Sequence, residues 1–310
     1  MVQIKYSIII PHKNIPHLLS RCLASIPICP EIEVIIVDDD SDPEKVDFED
    51  FPGSDRCYTQ IIFTKEGKGA GYARNVGLRH AKAKWLIFAD SDDYFNDCFF
   101  SSIEKFYDSN ADLVYFSATS VDSETLEPAT RHTELSNAIY DYDINNPKSI
   151  ETIKYYNWEP WGKMFNHAHI KENRILFDEV AVGNDAGFVI TAGHFSQIIE
   201  VDKEPIYCVT HRTDSLTHEV SEAAFDDRYR AVLLVNGYLR RFDREQMIPV
   251  FPFISRSVKF GVLKFFTMLF MALKSGENIF YGSKKYIEDL FRSRHRAVRG
   301  YFGIDEDLSL

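Results

Sequence analysis

Cysteine is scarce in this chain of 310 residues, and it is not closely paired. The five cysteines form no C-x-x-C motif and are odd in number: Cys22, Cys29, Cys57, Cys98 and Cys208. Zinc sites need closely spaced cysteines, and the disulfide frameworks of secreted domains need an even number of them. The sequence therefore suggests neither, and we expect reduced thiols in a cytoplasmic protein.

The sequence also lacks the pattern of a signal peptide or a membrane span. The first residues run straight into the apolar run Ser7–Ile10, without a long apolar core and a small-residue cleavage site. The most apolar stretch, Phe251–Leu273, is interrupted by Arg256, Lys259 and Lys264. Because three cations in hydrocarbon would be costly, we expect no transmembrane helix there.

Acidic residues outnumber basic ones, although not along the whole chain. The formal net charge is −12, and 45% of the residues are hydrophobic, which is ample for a folded core plus an appendage. Residues 228–300 nevertheless hold 15 Lys and Arg against 5 Asp and Glu. We expect them to form a separate unit that faces a lipid surface or a phosphorylated acceptor rather than nucleic acid. The alternative is a solvated basic face without a partner.

The first hundred residues alternate strand and helix patterns. Four short apolar runs read as buried strands: Ser7–Ile10, Glu33–Val37, Gln60–Phe63 and Trp85–Ala89. Helical spacing follows the first run and the third. Buried apolar strands joined by helices are typical of a parallel sheet that is covered on both faces. The predicted fold class is therefore α/β, with a doubly wound and mostly parallel sheet.

Acidic clusters follow two of these strands. Asp38–Asp42 comes after the second strand, and Asp90–Asp93 comes after the fourth. Ligands of such sheets collect at the carboxyl ends of the strands. Asp90 and Asp92 can converge there as hard oxygen ligands for Mg²⁺ or Mn²⁺. Alternatively, the motif arises by chance in an acidic chain, or its carboxylates cap a helix expected over residues 96–107.

A glycine-rich loop, Lys65–Gly71, precedes the second expected helix. Its backbone N–H groups and the helix N-terminus, together with Lys68 and Arg74, favour binding of a diphosphate. The loop matches neither a Walker A motif nor G-x-G-x-x-G. A flexible connector without a ligand is the alternative.

Four segments together resemble the family 2 glycosyltransferases of the GT-A fold. They are SIIIPHKN at 7–14, EVIIVDDDSD at 33–42, GAGYARNVGLRHA at 69–81 and WLIFADSDDYF at 85–95. The resemblance implies a nucleotide-sugar-binding half over residues 1–115, an acceptor-binding half over 116–220 and a helical basic region over 221–310. Two departures appear: His12-Lys13-Asn14 replaces the usual Val-Tyr-Asn, and Asp40 replaces a usual Gly.

The resemblance also implies roles for single residues on the donor side. Pro11 would line the base pocket, and Asp39 would accept hydrogen bonds from uracil or ribose, while Asp38 would order its turn. Asp90 would meet the ribose or the water shell of the metal, and Arg74 would reach phosphate or lock the acidic cluster. The metal that bridges the donor diphosphate would be bound by Asp92 and supported by Asp93.

On the acceptor side, the segment Trp158–Phe165 resembles the tryptophan-containing segment of these enzymes, and its flat aromatic faces suit sugar rings. Core packing is the alternative for Trp161 and Phe165. Asp185 would be the catalytic base, with Asp178 and Glu179 as its nearest rivals, unless it only caps the helix that follows. Arg212 would contact phosphate. The metal shell could be completed by His211 or His218, which would favour Mn²⁺.

Together with the acidic clusters and the glycine-rich loop, the resemblance implies an inverting, metal-dependent enzyme of the hexosyltransferase type. It would move a sugar from a nucleotide-diphosphate donor, UDP-linked by preference, to a hydroxyl of a bacterial polysaccharide, capsule or lipooligosaccharide. The alternatives are a sugar-phosphate nucleotidyltransferase and a non-catalytic glycan-binding protein on the same fold. The stretch Phe251–Leu273 predicts a basic, aromatic helix at the cytoplasmic face of the inner membrane. Packing on the catalytic domain or on a second subunit is its alternative.

Overall fold

The computed structural model describes residues 3–212, 221–245 and 248–284. The chain divides into two compact units, Met1–Arg212 and Thr213–Leu310. The first unit contains the sheet, and the second is helical in its described part.

The first unit is built on one sheet of eight strands: β1 Tyr6–His12, β2 Ile32–Asp39, β3 Thr59–Thr64, β4 Trp85–Phe88, β5 Tyr94–Phe95, β6 Leu113–Asp122, β7 Lys163–Asn166 and β8 Ile199–His211. Their order in the sheet is β3-β2-β1-β4-β7-β6-β8-β5. The strands β3, β2, β1 and β4 are parallel, and β7 runs antiparallel to β4 and β6. The strands β6 and β8 are parallel to each other, and β5 is antiparallel to β8. This arrangement confirms the predicted α/β class with a mostly parallel sheet.

Seven helices accompany the described part of the sheet: α1 Pro16–Ala24, α2 Ala70–His80, α3 Phe99–Glu104, α4 Thr133–Tyr140, α5 Pro147–Tyr155, α6 His167–Glu172 and α7 Ala186–Phe195. In α1 the apolar side chains recur at helical spacing, so one face is buried, and Pro16 starts the helix. The helix expected over residues 96–107 is α3, which is shorter than predicted and begins at Phe99.

The core lies around β1, β2 and β4, in which every residue is buried. Their parallel register pairs Ile9 with Ile35 on one side and with Phe88 on the other. The helix α2 packs so closely on β1 that a Cβ at Gly77 would lie 2.4 Å from Ile9 Cγ2. The sheet is therefore a rigid base that brings the ends of β1, β2 and β4 to one edge.

The second unit has a small core of its own. Its described helices are α8 Glu222–Arg241, α9 Phe251–Arg256 and α10 Val262–Lys274, with a 3-10 helix at Ser257–Phe260. The predicted single helix over Phe251–Leu273 is wrong, because Gly261 breaks it at a φ of 111°. None of the described helices is long and apolar enough to cross a membrane. The buried core residues are Tyr229, Val232, Leu233, Val250, Phe253, Ile254, Met268 and Ala272.

Candidate active site

The acidic cluster Asp90–Asp93 follows β4 and is held by β8. Tyr207 accepts a hydrogen bond from the backbone N–H of Asp90 at 2.9 Å and donates one to Asp93 Oδ2 at 3.0 Å. The backbone N–H of Thr210 donates to the other oxygen of Asp93 at 2.7 Å. Burial, followed by repulsion from the neighbouring carboxylates, holds the pKa of Asp93 well above its ordinary value. Asp93 thus ties the acidic loop to β8.

Asp92 is held mainly through its backbone. Its carbonyl oxygen accepts hydrogen bonds from Arg21 Nη2 at 2.6 Å and from Thr210 Oγ1 at 2.8 Å. Its carboxylate lies 3.3 Å from Arg212 Nε and is 25% exposed. Burial and the neighbouring carboxylate raise the pKa of Asp92, while Arg212 opposes them. A partly exposed carboxylate with excess negative charge beside it suits a cation.

Arg74 joins the acidic cluster to the segment before α7. Its Nη2 donates to Asp90 Oδ1 at 2.6 Å, and its Nη1 donates to Asn184 Oδ1 at 2.7 Å. The guanidinium also lies over the ring of Phe177, 5.3 Å from the centroid. Since Asn184 immediately precedes Asp185, one buried side chain fixes the spacing between the donor-side carboxylates and the predicted base.

The same segment packs against the start of α2. The side chain of Asn75 donates to the carbonyl of Phe177 at 2.9 Å and accepts from its backbone N–H at 2.9 Å. A Cβ at Gly71 would lie only 2.1 Å from the carbonyl oxygen of Asp178. Glycine is needed at position 71 because the backbone of residues 178–184 passes so close.

Replacing Gly71 with alanine is expected to lower catalytic turnover at least tenfold, because the added methyl group must displace the segment that positions Asp185. The measurement is the turnover rate together with the melting temperature. Gly237→Ala is the matched control, since a Cβ there meets only Arg240, at 4.0 Å. An unchanged rate in Gly71→Ala would show that the packing of this segment on α2 does not matter.

The glycine-rich loop is organised by Asp39 at the end of β2. Gly69 donates its backbone N–H to Asp39 Oδ2 at 2.5 Å, and Thr64 donates its hydroxyl to Oδ1 at 2.8 Å. The predicted contact of Asp39 with uracil or ribose stays a prediction. Lys68 pairs with Glu66 at 3.2 Å and is about half exposed. Its charge is therefore accessible at the loop.

The two departures from the family pattern have local explanations. The Nε2 of His12 accepts a hydrogen bond from the backbone N–H of Ile15 at 3.2 Å, so the proton is on Nδ1, which donates to Asp38 at 2.7 Å. Burial raises the pKa of Asp38, but hydrogen bonds from His12 and Ser41 outweigh it and leave the pKa below its usual value. Asp40 adopts a φ of 62°, a conformation that glycine adopts readily and Asp tolerates.

Pro11 lies in β1, opposite Val37 of β2, and is buried. Asp39 ends β2, and Asp90 follows β4 at the same edge of the sheet. The predicted donor-side residues are therefore brought to one edge, as expected for parallel strands.

Asp185 precedes α7 and is partly exposed. Its side chain makes no capping hydrogen bond to this helix within the described structure, which favours the base hypothesis over simple capping. Burial raises the pKa of Asp185 to about 6, Arg74 opposes the shift, and Glu159 and Asp90 add to it. A carboxylate with a pKa just below neutral pH is suited to accept a proton from a hydroxyl.

The aromatic residues of Trp158–Phe165 belong to the core. Trp161 and Phe165 are buried, as the packing alternative requires, and Trp158 is buried as well. Trp161 stacks on Tyr207 with ring centroids 5.6 Å apart. The segment therefore supports the acidic cluster from within the protein.

Lys163 is a buried charge that the sequence did not reveal. It is fully buried, its Nζ donates to the carbonyl of Glu159 at 2.5 Å, and it lies over the rings of Tyr115 and Trp161. Burial lowers its pKa to about 8, against the opposing effects of Glu159 and Asp185. The positive charge of Lys163 therefore contributes to the electrostatic field around Asp185.

The described residues contain no group of three or more His, Cys, Asp or Glu side chains placed to hold a metal ion. A cation at Asp92 would therefore need oxygen ligands from the bound donor or from water. His211 Nδ1 lies 3.8 Å from Asp122 Oδ2, and its predicted role stays a prediction. His218 lies outside the described residues.

Sequence reasoning missed three residues that hold the acidic loop: Arg21, Tyr207 and Thr210. Their partners lie more than 70 positions away along the chain, since the contacts join α1 and β8 to the loop after β4. In the sequence, the hydroxyl of Tyr207 gives no signal of its target. These residues define the loop geometry.

The first unit is a mostly parallel α/β sheet with carboxylates and a glycine-rich loop at the carboxyl ends of its strands, the arrangement expected for the GT-A fold. The solved structure of Staphylococcus aureus TarS 1–349 in complex with UDP-GlcNAc matches the protein with a TM-score of 0.58 at 24% identity, over 83% of this chain and 73% of that one. The mannosyltransferase PcManGT from Pyrobaculum calidifontis, in complex with GDP-Man and Mn²⁺, matches with a TM-score of 0.53 at 13% identity, over 95% and 82%. The predicted GT-A fold is confirmed.

The model of glycosyl transferase family 2 matches residues 7–174, more than half of the chain. The chain belongs to this family, as predicted. The uncharacterised glycosyltransferase EpsJ of Bacillus subtilis is 24% identical over 71% of this chain. The poly(ribitol-phosphate) beta-N-acetylglucosaminyltransferase TarS of Staphylococcus aureus is 25% identical over 80% of this chain. The alignments span 65% of the length of EpsJ and 43% of TarS.

Proposed function

We propose that this protein is an inverting, metal-dependent glycosyltransferase that moves a sugar from a UDP-sugar to a hydroxyl group of a bacterial surface glycan. The observation that carries the proposal is the bridge made by Arg74 between Asp90 and Asn184, at 2.6 and 2.7 Å. It fixes Asp185 relative to the carboxylates that would face the donor. A transferase needs such a spacing between donor and base.

In the proposed reaction, Asp185 accepts the proton of the acceptor hydroxyl as its oxygen attacks the anomeric carbon. The bond to the diphosphate breaks on the opposite face, which inverts the configuration. The raised pKa of about 6 leaves Asp185 ionised at neutral pH and still basic enough to take the proton. Asp178 and Glu179 are the rivals for this role.

The residues present fit a hard divalent cation. Asp92 offers a carboxylate that is 25% exposed, and the side chain of Asp90 is 33% exposed beside it. Oxygen ligands of this kind suit Mg²⁺ or Mn²⁺. When bound, such a cation would neutralise charge on the departing diphosphate. Asp93, whose oxygens are held by β8, supports the loop that carries Asp92.

Two cationic side chains are candidates to bind the phosphates of the donor. Arg212 contacts Asp92 at 3.3 Å and is 27% exposed, so it can also meet a phosphate oxygen. Lys68, half exposed in the glycine-rich loop, is the second candidate. The UDP preference is supported by the TarS complexes, which contain UDP and UDP-GlcNAc. A glycan acceptor is supported by the printed name of TarS, an enzyme that acts on poly(ribitol-phosphate).

UDP-sugars with Mn²⁺ are expected to raise the melting temperature more than GDP-, CDP- or TDP-sugars do. A ligand at 100 times its Kd adds about 2.7 kcal/mol to the free energy of unfolding. The measurement is a thermal-shift panel of these donors with and without Mn²⁺. No shift with any donor would contradict the proposed site. Release of pyrophosphate from UTP and a sugar phosphate would identify a nucleotidyltransferase instead.

A further inference from the structure

Helix α10 is apolar on two opposite faces. One face, with Met268 and Ala272, is buried in the core of the second unit. The other is exposed, and we name it the α10 outer face. It consists of five side chains that are each more than half exposed: Val262 66%, Leu263 81%, Phe266 57%, Phe270 66% and Leu273 59%.

The α10 outer face is continuous. At 100° per residue its five side chains fall within an arc of about 100°, the width of the apolar stripe with which a helix packs on a partner. Within α10, which is described in full, the other exposed residues are Thr267 and Lys274. Folded monomers seldom expose a contiguous apolar patch of this kind unless it binds something.

The sequence around the α10 outer face carries charge of one sign. Residues 246–276 contain no Asp or Glu, whereas they contain Arg256, Lys259, Lys264 and Lys274. Lys264 is neutralised within the unit by Glu222 at 2.9 Å and Asp226 at 2.5 Å. The exposed Lys259 and Lys274 precede and end the helix.

We propose that the α10 outer face docks on an anionic lipid surface. A helix of 13 residues is about 20 Å long, too short to cross a hydrocarbon core of about 30 Å but suited to lie in the interface. Phenylalanine and leucine enter the acyl boundary while lysine stays at the headgroups. A second copy fits this face less well, because a symmetric contact would bring like-charged lysines together.

The structure also corrects which residues would make this contact. Of the aromatic helix expected from the sequence, Phe253 and Ile254 are 4% and 1% exposed and belong to the core. Phe270 and Leu273, from the same stretch, are exposed and lie on the α10 outer face. The predicted basic, aromatic contact surface stays a prediction, and the residues that would form it are those of the α10 outer face.

The test is cosedimentation of the full chain with vesicles of phosphatidylglycerol and phosphatidylcholine in equal parts, compared with phosphatidylcholine alone. The double variant Phe266→Ser/Phe270→Ser is expected to lower the vesicle partition coefficient roughly tenfold or more. Lys259→Gln/Lys274→Gln is expected to lower it on the anionic vesicles only, with a weaker dependence on salt. The matched control is Ile28→Ser/Leu176→Ser, which changes residues exposed by 64% and 59% in the first unit.

Three results would overturn the proposal. The first is equal binding of the wild type to both kinds of vesicle at low salt, and the second is unchanged binding by Phe266→Ser/Phe270→Ser. The third is a dimer, measured by light scattering, that becomes a monomer in that variant without any vesicle binding. Circular dichroism melting verifies that each variant is folded. Vesicle binding needs no turnover, so its failure leaves the proposed transferase function untouched.

Discussion

Replacing Asp185 with asparagine is expected to lower kcat for sugar transfer by roughly 10²- to 10⁴-fold, the contribution of a well-placed general base. Asparagine preserves the shape of the side chain but cannot accept the proton. Donor binding should persist, because Arg74 contacts Asn184 and Asp90 rather than Asp185 itself. The measurement is kcat with saturating donor, together with the donor-induced thermal shift.

The pH dependence gives a second readout of the same residue. Since the pKa of Asp185 is raised to about 6, kcat of the wild type should rise with pH through 6 and level off above it. The kcat of Asp185→Asn should not show this rise with pH. A raised carboxyl pKa means that the folded protein binds the proton more tightly than the unfolded chain, so this group's contribution to stability falls as pH rises through 6. The melting temperature of Asp185→Asn at pH 8 should therefore not fall below that of the wild type.

If Asp185 is not the base, Glu179→Gln tests its exposed rival, whose carboxylate accepts a hydrogen bond from Asn75 at 3.3 Å. Glu172→Gln, at the exposed end of α6, controls for the loss of one acidic side chain. Full activity in Asp185→Asn with loss of activity in Glu179→Gln would transfer the role to Glu179.

The parallel half of the fold was predictable because its signals are local. Each of the strands β1, β2 and β4 is an apolar run that is buried on both faces, and parallel pairing then places the following residues at one edge. The positions of Asp39 and Asp90 at that edge follow from this rule alone. The break of the C-terminal helical stretch at Gly261 was not predicted, because a glycine inside a helical pattern is often tolerated.

The contacts that shape the site were not predictable because they are non-local. Nothing near Asp93 in sequence indicates that Tyr207 and Thr210 hold its carboxylate. The burial of Trp161 could not be distinguished from sugar stacking either, since large aromatic side chains serve both purposes. Sequence therefore identified the carboxylates, and the packing of β8 on their loop gives them their orientation.

Replacing Asp92 with asparagine is expected to abolish the extra thermal stabilisation that Mn²⁺ gives to the UDP complex and to lower transfer at least 10²-fold, since charge stabilisation of the leaving group is usually a large part of catalysis. The fold should survive, because the backbone carbonyl of Asp92 keeps its contacts with Arg21 and Thr210 and only the partly exposed ion pair of its side chain with Arg212 is lost. The measurement is the UDP-induced thermal shift with and without Mn²⁺, followed by the transfer rate.

Asp97→Asn is the matched control for this second prediction, because Asp97 is an exposed aspartate a few residues beyond the acidic loop. It should keep both the Mn²⁺ effect and the rate. If Asp92→Asn kept the full Mn²⁺ effect, Asp92 would not bind the cation. Because Arg212 contacts Asp92 directly, a further variant, Arg212→Gln, is needed to separate phosphate binding by Arg212 from metal binding by Asp92. Arg212→Gln should weaken UDP binding with or without Mn²⁺. Asp92→Asn should remove only the part of UDP binding that depends on the metal. If both variants lost only the Mn²⁺-dependent part of UDP binding, the ion pair between Arg212 and Asp92, and not the carboxylate alone, would be required for metal-dependent donor binding.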